Sequence, residues 1–380
     1  MTIDAGIKWT KYELGELLSY EQPTPYIVGS TDYNEKYKTP VLTAGKSFIL
    51  GYTNETHGVY TTLPVIIFDD FTTASRYVNF EFKVKSSAMK ILTPNTELVL
   101  PKFIYYRMQI IQFDHSTHKR YWIQQYSKIK VAIPPIPEQE RIVARIEELF
   151  SELDNGVETL RKTKQQLAVY RQAVLKDVFD GAAGCVTGTI QSVCSNIVDC
   201  PHSTPKWASE GKICLRTTNF KRGYLDLSEK NYVSDETFDK RNARLVPMPG
   251  DVLYSREGAI LGIACIIPDN LFVCLGQRMM LLRTNENMLG RFLMHYLNSP
   301  KVTSFVATKI GGSASPHVNV GDIKNFLVPI PAIEKQESML ERIESRLSVC
   351  DSIEKTVDTA LQQAEAMRQS ILKKAFEGRI

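Results

Sequence analysis

Val131-Ala132-Ile133-Pro134-Pro135-Ile136-Pro137-Glu138-Gln139-Glu140 has a counterpart in Val328-Pro329-Ile330-Pro331-Ala332-Ile333-Glu334-Lys335-Gln336-Glu337. From these openings, residues 131–181 and 328–378 align without a gap at a constant offset of 197 (328 against 131). The copies also close alike, on Val174-Leu175-Lys176-Asp177-Val178-Phe179-Asp180-Gly181 and Ile371-Leu372-Lys373-Lys374-Ala375-Phe376-Glu377-Gly378. Identical pairs run between the ends, among them Arg145/Arg342, Glu147/Glu344, Asp154/Asp351 and Arg171/Arg368. An internal repeat dictates architecture before any local detail. This one cuts the chain into two variable segments, each followed by the same module.

The module reads as a long helix. Ile142, Ile146, Leu149, Leu153, Gly156, Leu160, Thr163, Leu167, Tyr170 and Val174 follow one another in steps of four and three, a heptad seam. The matching seam of the second copy is Met339, Ile343, Arg346, Cys350, Ile353, Val357, Ala360, Ala364, Met367 and Ile371, flanked by Leu340, Leu347 and Leu361. Pro137 and Pro331 mark the starts, with Glu138 and Glu334 at the positive end of the helix dipole. Gly181 and Gly378 suit C-terminal caps. A lone helix of this kind would expose its seam to water. The economical arrangement packs the two copies on each other, antiparallel because the chain returns through a variable segment, with Ile146 and Leu160 buried between them. The competing arrangement is a coiled coil with another chain.

The variable segments carry short apolar runs broken by Gly, Pro, Asn and Asp. Val65–Phe68, Tyr77–Phe82, Val252–Tyr254 and Leu261–Ile267 read as strands, and Pro101–Ile111 and Asn287–Leu297 as helices. Each segment opens on a short helix, at Tyr12–Leu18 and Gly188–Cys194, and ends on a strand feeding the proline-led module. The fold class is α+β: two mixed α/β domains separated by two long antiparallel coiled-coil helices. The expected boundaries are residues 1–133 and 183–330 for the domains, and 134–182 and 331–380 for the helices.

The 380 residues carry a net charge of +4, which permits a nucleic-acid partner without demanding one. Six basic residues and one acid fall between Lys102 and Lys130, a local excess. All seven cysteines lie from Cys185 onward and none forms a CxxC pair, as expected of reduced thiols in a cytoplasm rather than of a zinc site or disulfide framework. The start reads as no secretory signal, and no window reaches the apolar length of a bilayer span.

With this order in view, the chain resembles the specificity subunit of type I restriction–modification enzymes along essentially its whole length. The resemblance rests on Pro134–Ile142, on Pro329-Ile330-Pro331 with Gln336-Glu337, and on the Phe-Asp/Glu-Gly ends of both modules. Pro249–Gly258, and Gly311-Gly312-Ser313 ahead of Val320–Lys324, add to it. The first variable segment lacks both of these last patterns and resembles another subclass of recognition domain. The resemblance implies two target recognition domains reading a bipartite, asymmetric site in double-stranded DNA. It implies helices that act as spacer and dock two adenine methyltransferase subunits. It also implies a motor-nuclease subunit that joins for restriction. The S-adenosylmethionine, ATP and Mg would then belong to the partners, with no cofactor of the chain's own and no membrane partner.

The residues agree with a non-catalytic reading. There is no Asn/Asp-Pro-Pro-aromatic segment, no GxxxxGK[ST] loop, and no metal-ligand spacing among the six histidines. Reading DNA takes cations for phosphates and forked or amide side chains for base edges. In the first segment the candidates are Thr53, Asn54, His115, His118, Lys119 and Arg120. In the second they are Arg216, Thr218, Asn219, Lys221, Arg222, Ser255, Arg256, Gln277, Arg278, Ser313, Ser315 and His317. Two alternatives stand beside this reading. One is a coiled-coil scaffold that binds partner proteins without reading DNA. The other is a methyltransferase fused to its own recognition domain.

Overall fold

The computed structural model describes residues 9–43, 47–115, 120–310 and 316–380. The chain forms two compact units, residues 1–160 with 359–380 and residues 161–358. Each long helix contributes one part to each unit.

In the first unit, strands Thr10–Glu13 and Lys130–Ile133 pair antiparallel. This closes the segment on itself where the chain enters the first long helix, Ile136–Asp180. Between them lies an antiparallel four-stranded sheet in the order Leu18–Glu21, Met89–Pro94, Val65–Asp69, Ser75–Val78. A three-stranded sheet follows the order Ile49–Thr53, Thr39–Leu42, Lys83–Val84, its last pair parallel. The second unit repeats the plan. Thr187–Thr189 pairs with Leu327–Pro329 ahead of the second long helix, Ile333–Phe376. The first sheet runs Cys194–Asp199, Met279–Thr284, Val252–Ser255, Ala264–Ile266. The second runs Trp207–Ala208, Tyr232–Val233, Lys212–Leu215, Val273–Leu275, again ending on a parallel pair. The two recognition segments thus share a strand plan, although the first lacks the sequence patterns of the second.

Several local expectations need correction. The strand read at Tyr77–Phe82 ends at Val78, and of Leu261–Ile267 only Ala264–Ile266 is strand. Gly262 has a φ of +74°, which breaks the run ahead of that strand. Gly378 takes the left-handed cap at φ +72°, whereas Gly181 does not and the turn falls to Gly184 at φ +88°.

One buried glutamine in each copy fastens domain to helix. The Gln139 side chain accepts from the Leu100 amide (2.8 Å) and donates to the carbonyls of Leu98 (3.0 Å) and Pro134 (2.9 Å). Gln336 makes the same three bonds, to the Leu289 amide and to the carbonyls of Asn287 and Pro331, all at 2.9 Å. Leu100 and Leu289 are the residues that precede helices Pro101–Met108 and Gly290–Leu297. The glutamine therefore caps the domain's helix with its own amide, and a buried amide with all three partners tolerates little displacement. Beside it, Lys102 pairs with Glu147, and Arg291 with Glu344 at 2.9 Å. Phe103 meets Phe376 in the first unit, and Phe292 meets Phe179 in the second. Lys102 thus serves this joint, and Arg107 lies over the Phe376 ring at 5.6 Å, so part of the basic excess at 102–130 is structural.

In each unit the helical segments run antiparallel. In the first, Arg141 reaches the Ile380 carbonyl (3.2 Å), and Arg368 pairs with Asp154 and lies over the Phe150 ring at 4.4 Å. In the second, Arg171 pairs with Asp351 (2.7 Å) and Glu354 (2.8 Å), and Arg346 with Asp177 (3.0 Å). Arg171–Asp351 and Arg368–Asp154 are one ion pair made twice at repeat-equivalent positions.

The seam differs from its sequence reading in phase. Ile142, Ile146, Val174, Met339, Ile343 and Val357 are buried. Leu149, Leu153, Leu160, Leu167 and Ile371 are only half-buried, so Leu160 is not the buried contact expected of it. Ile353 and Met367 are exposed, at 41% and 53%. The alternate positions of the stripe fall one residue later, at Phe150, Val157 and Arg171, and at Leu347, Glu354, Leu361 and Arg368. Three of these positions, Arg171, Glu354 and Arg368, hold charges that pair across the helices, and counting apolar residues skips them.

Candidate nucleic-acid interface

In the first unit, Thr53 is buried, and its hydroxyl accepts from the Glu55 amide at 3.2 Å. Glu55 anchors the loop. Its carboxylate accepts from the Gly29 and Ser30 amides (2.9 Å) and pairs with Lys83 (2.8 Å), whose ammonium also donates to the His57 carbonyl (2.6 Å). Lys83 first, then the Ser30 amide, holds this carboxyl below its ordinary range. Asn54 and His57 are left exposed. His115 lies against the other sheet's turn, with Nε2 2.9 Å from the Thr73 hydroxyl and from the Thr72 carbonyl. Arg120 is exposed, and His118 and Lys119 lie outside the described residues. Tyr121 and Trp122 are buried core aromatics. Behind them, buried Asp70 accepts from the Trp122 amide (2.8 Å) and pairs with buried Lys90 (3.4 Å).

In the second unit, loops distant in sequence converge. The Arg256 amide donates to the Arg278 carbonyl (3.0 Å), the Val318 amide to the Arg256 carbonyl (2.9 Å), and the Gly258 amide to the Pro316 carbonyl (3.0 Å). Glu257 and His317 form an isolated bridge. The Gly276 amide donates to the Leu215 carbonyl (2.9 Å), which places Arg216 beside Gln277 at the ends of the parallel strands. Arg216, Thr218, Arg278 and His317 are exposed, and Gln277 is half-buried with its amide on the His202 carbonyl. Ser313 and Ser315 lie outside the described residues.

Other candidates are used inside the fold. Asn219 is buried. It accepts from the Arg216 amide (2.9 Å) and donates to the carbonyls of Asp226 (3.0 Å) and Glu229 (2.9 Å). Ser255 is buried and exchanges bonds with both backbone groups of Ile263 (2.9 and 3.3 Å). Arg256 forms a two-pronged pair with Asp199 (2.8 and 3.0 Å) and a further one with Glu257 (2.6 Å). These three hold the loops in shape rather than offer a free edge. Lys221 faces Asp226 at 3.9 Å, and Arg222 donates to the Asn298 carbonyl at 3.5 Å, on the hairpin apart from the cluster.

The sequence reading missed Asp199, His202, Trp207 and Arg241. Buried Arg241 donates to the carbonyls of Leu275 (2.5 Å), Gly276 (2.8 Å), Ser203 (3.1 Å) and Pro201 (3.2 Å), locking two loop bases together. Its helix, Asp235–Asn242, is almost wholly polar and reads as a solvated face. Among the described residues no three His, Cys, Asp or Glu side chains gather as a metal site, and no helix is long and apolar enough to cross a membrane.

Two unlike loop surfaces carried on one repeated frame define a class of binding protein. A family model described as the type I restriction modification DNA specificity domain matches residues 6–167 and 200–363. The EcoR124I/EcoR124II type I restriction enzyme specificity subunit of Escherichia coli is 31% identical over 363 residues, 92% of this chain and 89% of that one. The EcoBI specificity subunit of Escherichia coli is 25% identical over 279 residues, 65% of this chain and 58% of its own. A chain in a solved structure of the type I R-M system shares the fold at a TM-score of 0.67 and 19% identity, over 98% of both chains. This chain belongs to the type I restriction–modification DNA specificity family.

Proposed function

We propose that the chain is the DNA-reading, non-catalytic subunit of a type I restriction–modification assembly in the cytoplasm, and that its two recognition domains, residues 1–133 and 183–330, each read one half of an asymmetric site. The duplicated glutamine joint carries the reading. One frame holds two domains of the same strand plan, while the exposed loop residues differ between them: Asn54, His57, His115 and Arg120 in one, Arg216, Thr218, Arg278 and His317 in the other. The modules at 134–182 and 331–380 would dock adenine methyltransferase subunits, one for each copy, which supply S-adenosylmethionine chemistry. A motor-nuclease subunit would bring ATP and Mg. The protein-only scaffold is separated by salt. With its methyltransferase partner, the chain is expected to bind duplex DNA with log affinity falling linearly in log salt, by about 0.9 per phosphate neutralised. The pure chain alone is expected to transfer no methyl group. Methyl transfer by the lone chain, or no duplex binding by the complex, contradicts the proposal.

A further inference from the structure

Eight arginines lie between residues 183 and 330. Six are consumed inside the fold. Arg222 donates to the Asn298 carbonyl, Arg241 to four carbonyls and Arg244 to the Asp199 carbonyl. Arg256 pairs with Asp199 and Glu257, Arg283 with Asp251, and Arg291 with Glu344. Arg216 and Arg278 remain. Both are exposed, and among the described residues neither guanidinium makes a hydrogen bond or ion pair.

Both also stand on the convergent loop surface, and each is held by something other than a polar partner. The Arg216 guanidinium lies 5.7 Å from the Trp207 ring centroid, and Trp207 is 44% exposed. An aromatic face under a guanidinium fixes its plane and leaves the donor edge open. Arg278 has a φ of +69°, and its carbonyl is fixed by the Arg256 amide. Its side chain packs over Gly258, where a Cβ would come 3.2 Å from Nη1. Left-handed backbone at a non-glycine residue is uncommon, and such outliers gather at functional sites.

We infer that Arg216 and Arg278 are the guanine-reading side chains of the second recognition domain, and that Trp207 is a positioning residue for Arg216. The inference rests on the DNA-reading function proposed above. Guanine presents O6 and N7 as neighbouring acceptors in the major groove, and one guanidinium fork satisfies both. A phosphate needs only a cation, which a flexible lysine supplies without a left-handed backbone or an aromatic platform.

The test uses the complex with its methyltransferase partner, on duplexes randomised through the second half-site. The wild type is expected to require guanine at two positions there. Arg278→Gly suits the left-handed backbone and should fold at least as well, yet lower the preference at one of those positions by about tenfold with an unchanged salt slope. Arg216→Lys keeps the charge, loses the fork and should do the same at the other position. Trp207→Leu should lose preference at that same position. A second half-site without guanine overturns the inference, as do variants that keep full preference. Uniform weakening on all sequences, with the salt slope lowered by about one, would make these phosphate contacts and overturn it as well. A wild-type complex with no sequence preference overturns the DNA-reading function and this inference with it. A selective wild type with equally selective variants overturns the inference alone.

Discussion

Asp70→Ala should destabilise the first unit by about 3–5 kcal/mol, because it strands a buried ammonium without its counter-charge. Lys90 is 1% exposed and Asp70 2% exposed, and they pair at 3.4 Å. The same carboxylate accepts from the Trp122 amide at 2.8 Å, so the substitution also frees the base of the loop that carries His115 and Arg120. Urea unfolding followed by Trp fluorescence reads the loss. Adding Lys90→Met to Asp70→Ala should recover much of it, since an apolar residue needs no counter-charge. A loss under about 1 kcal/mol in the single variant would show that Lys90 reaches water and that the pair does not hold this loop.

His295 makes the stability of the second unit depend on pH. It is 7% exposed on helix Gly290–Leu297 and faces Arg291 and a cavity of about 320 Å³ that also holds Arg222. Burial first, and the Arg291 charge second, push its imidazole down from 6.5 to about 4. A depressed folded value means that the unfolded chain binds the proton more readily. The contribution is complete above 6.5 and is lost as pH falls from there towards about 4. The expected loss is about 2 kcal/mol by about pH 5, before most carboxylates titrate. His295→Gln should flatten the profile between about pH 6.5 and 5. An unchanged slope in that variant would place the titration elsewhere.

The frame was legible because repetition and proline-led helix starts are written in residue identity. Gln139 and Gln336 could be matched as a pair, but their role could not, since nothing local says that a glutamine will cap a helix of the preceding domain. The seam's phase was misread for a physical reason. Arg171, Glu354 and Arg368 sit on the stripe because long side chains can bury their stems and join charges across it, and apolar counting cannot see that. The reading surface was legible only as a set of loops. Arg256 and Arg278 look alike in sequence, and only the partners Asp199 and Glu257 separate an anchored guanidinium from an open one. Trp207 carried no local signal, because its use depends on Arg216, nine residues away and on another strand's end.

Independence of the two readers is the central claim, and methylome sequencing tests it most directly. A strain would carry the chain, its methyltransferase partner, and in turn Arg120→Gln or Gln277→Ala. The wild type should methylate one asymmetric motif in two specified parts. Arg120→Gln should alter only one part, and Gln277→Ala only the other. A palindromic motif, or both parts changing together in either variant, would contradict the account.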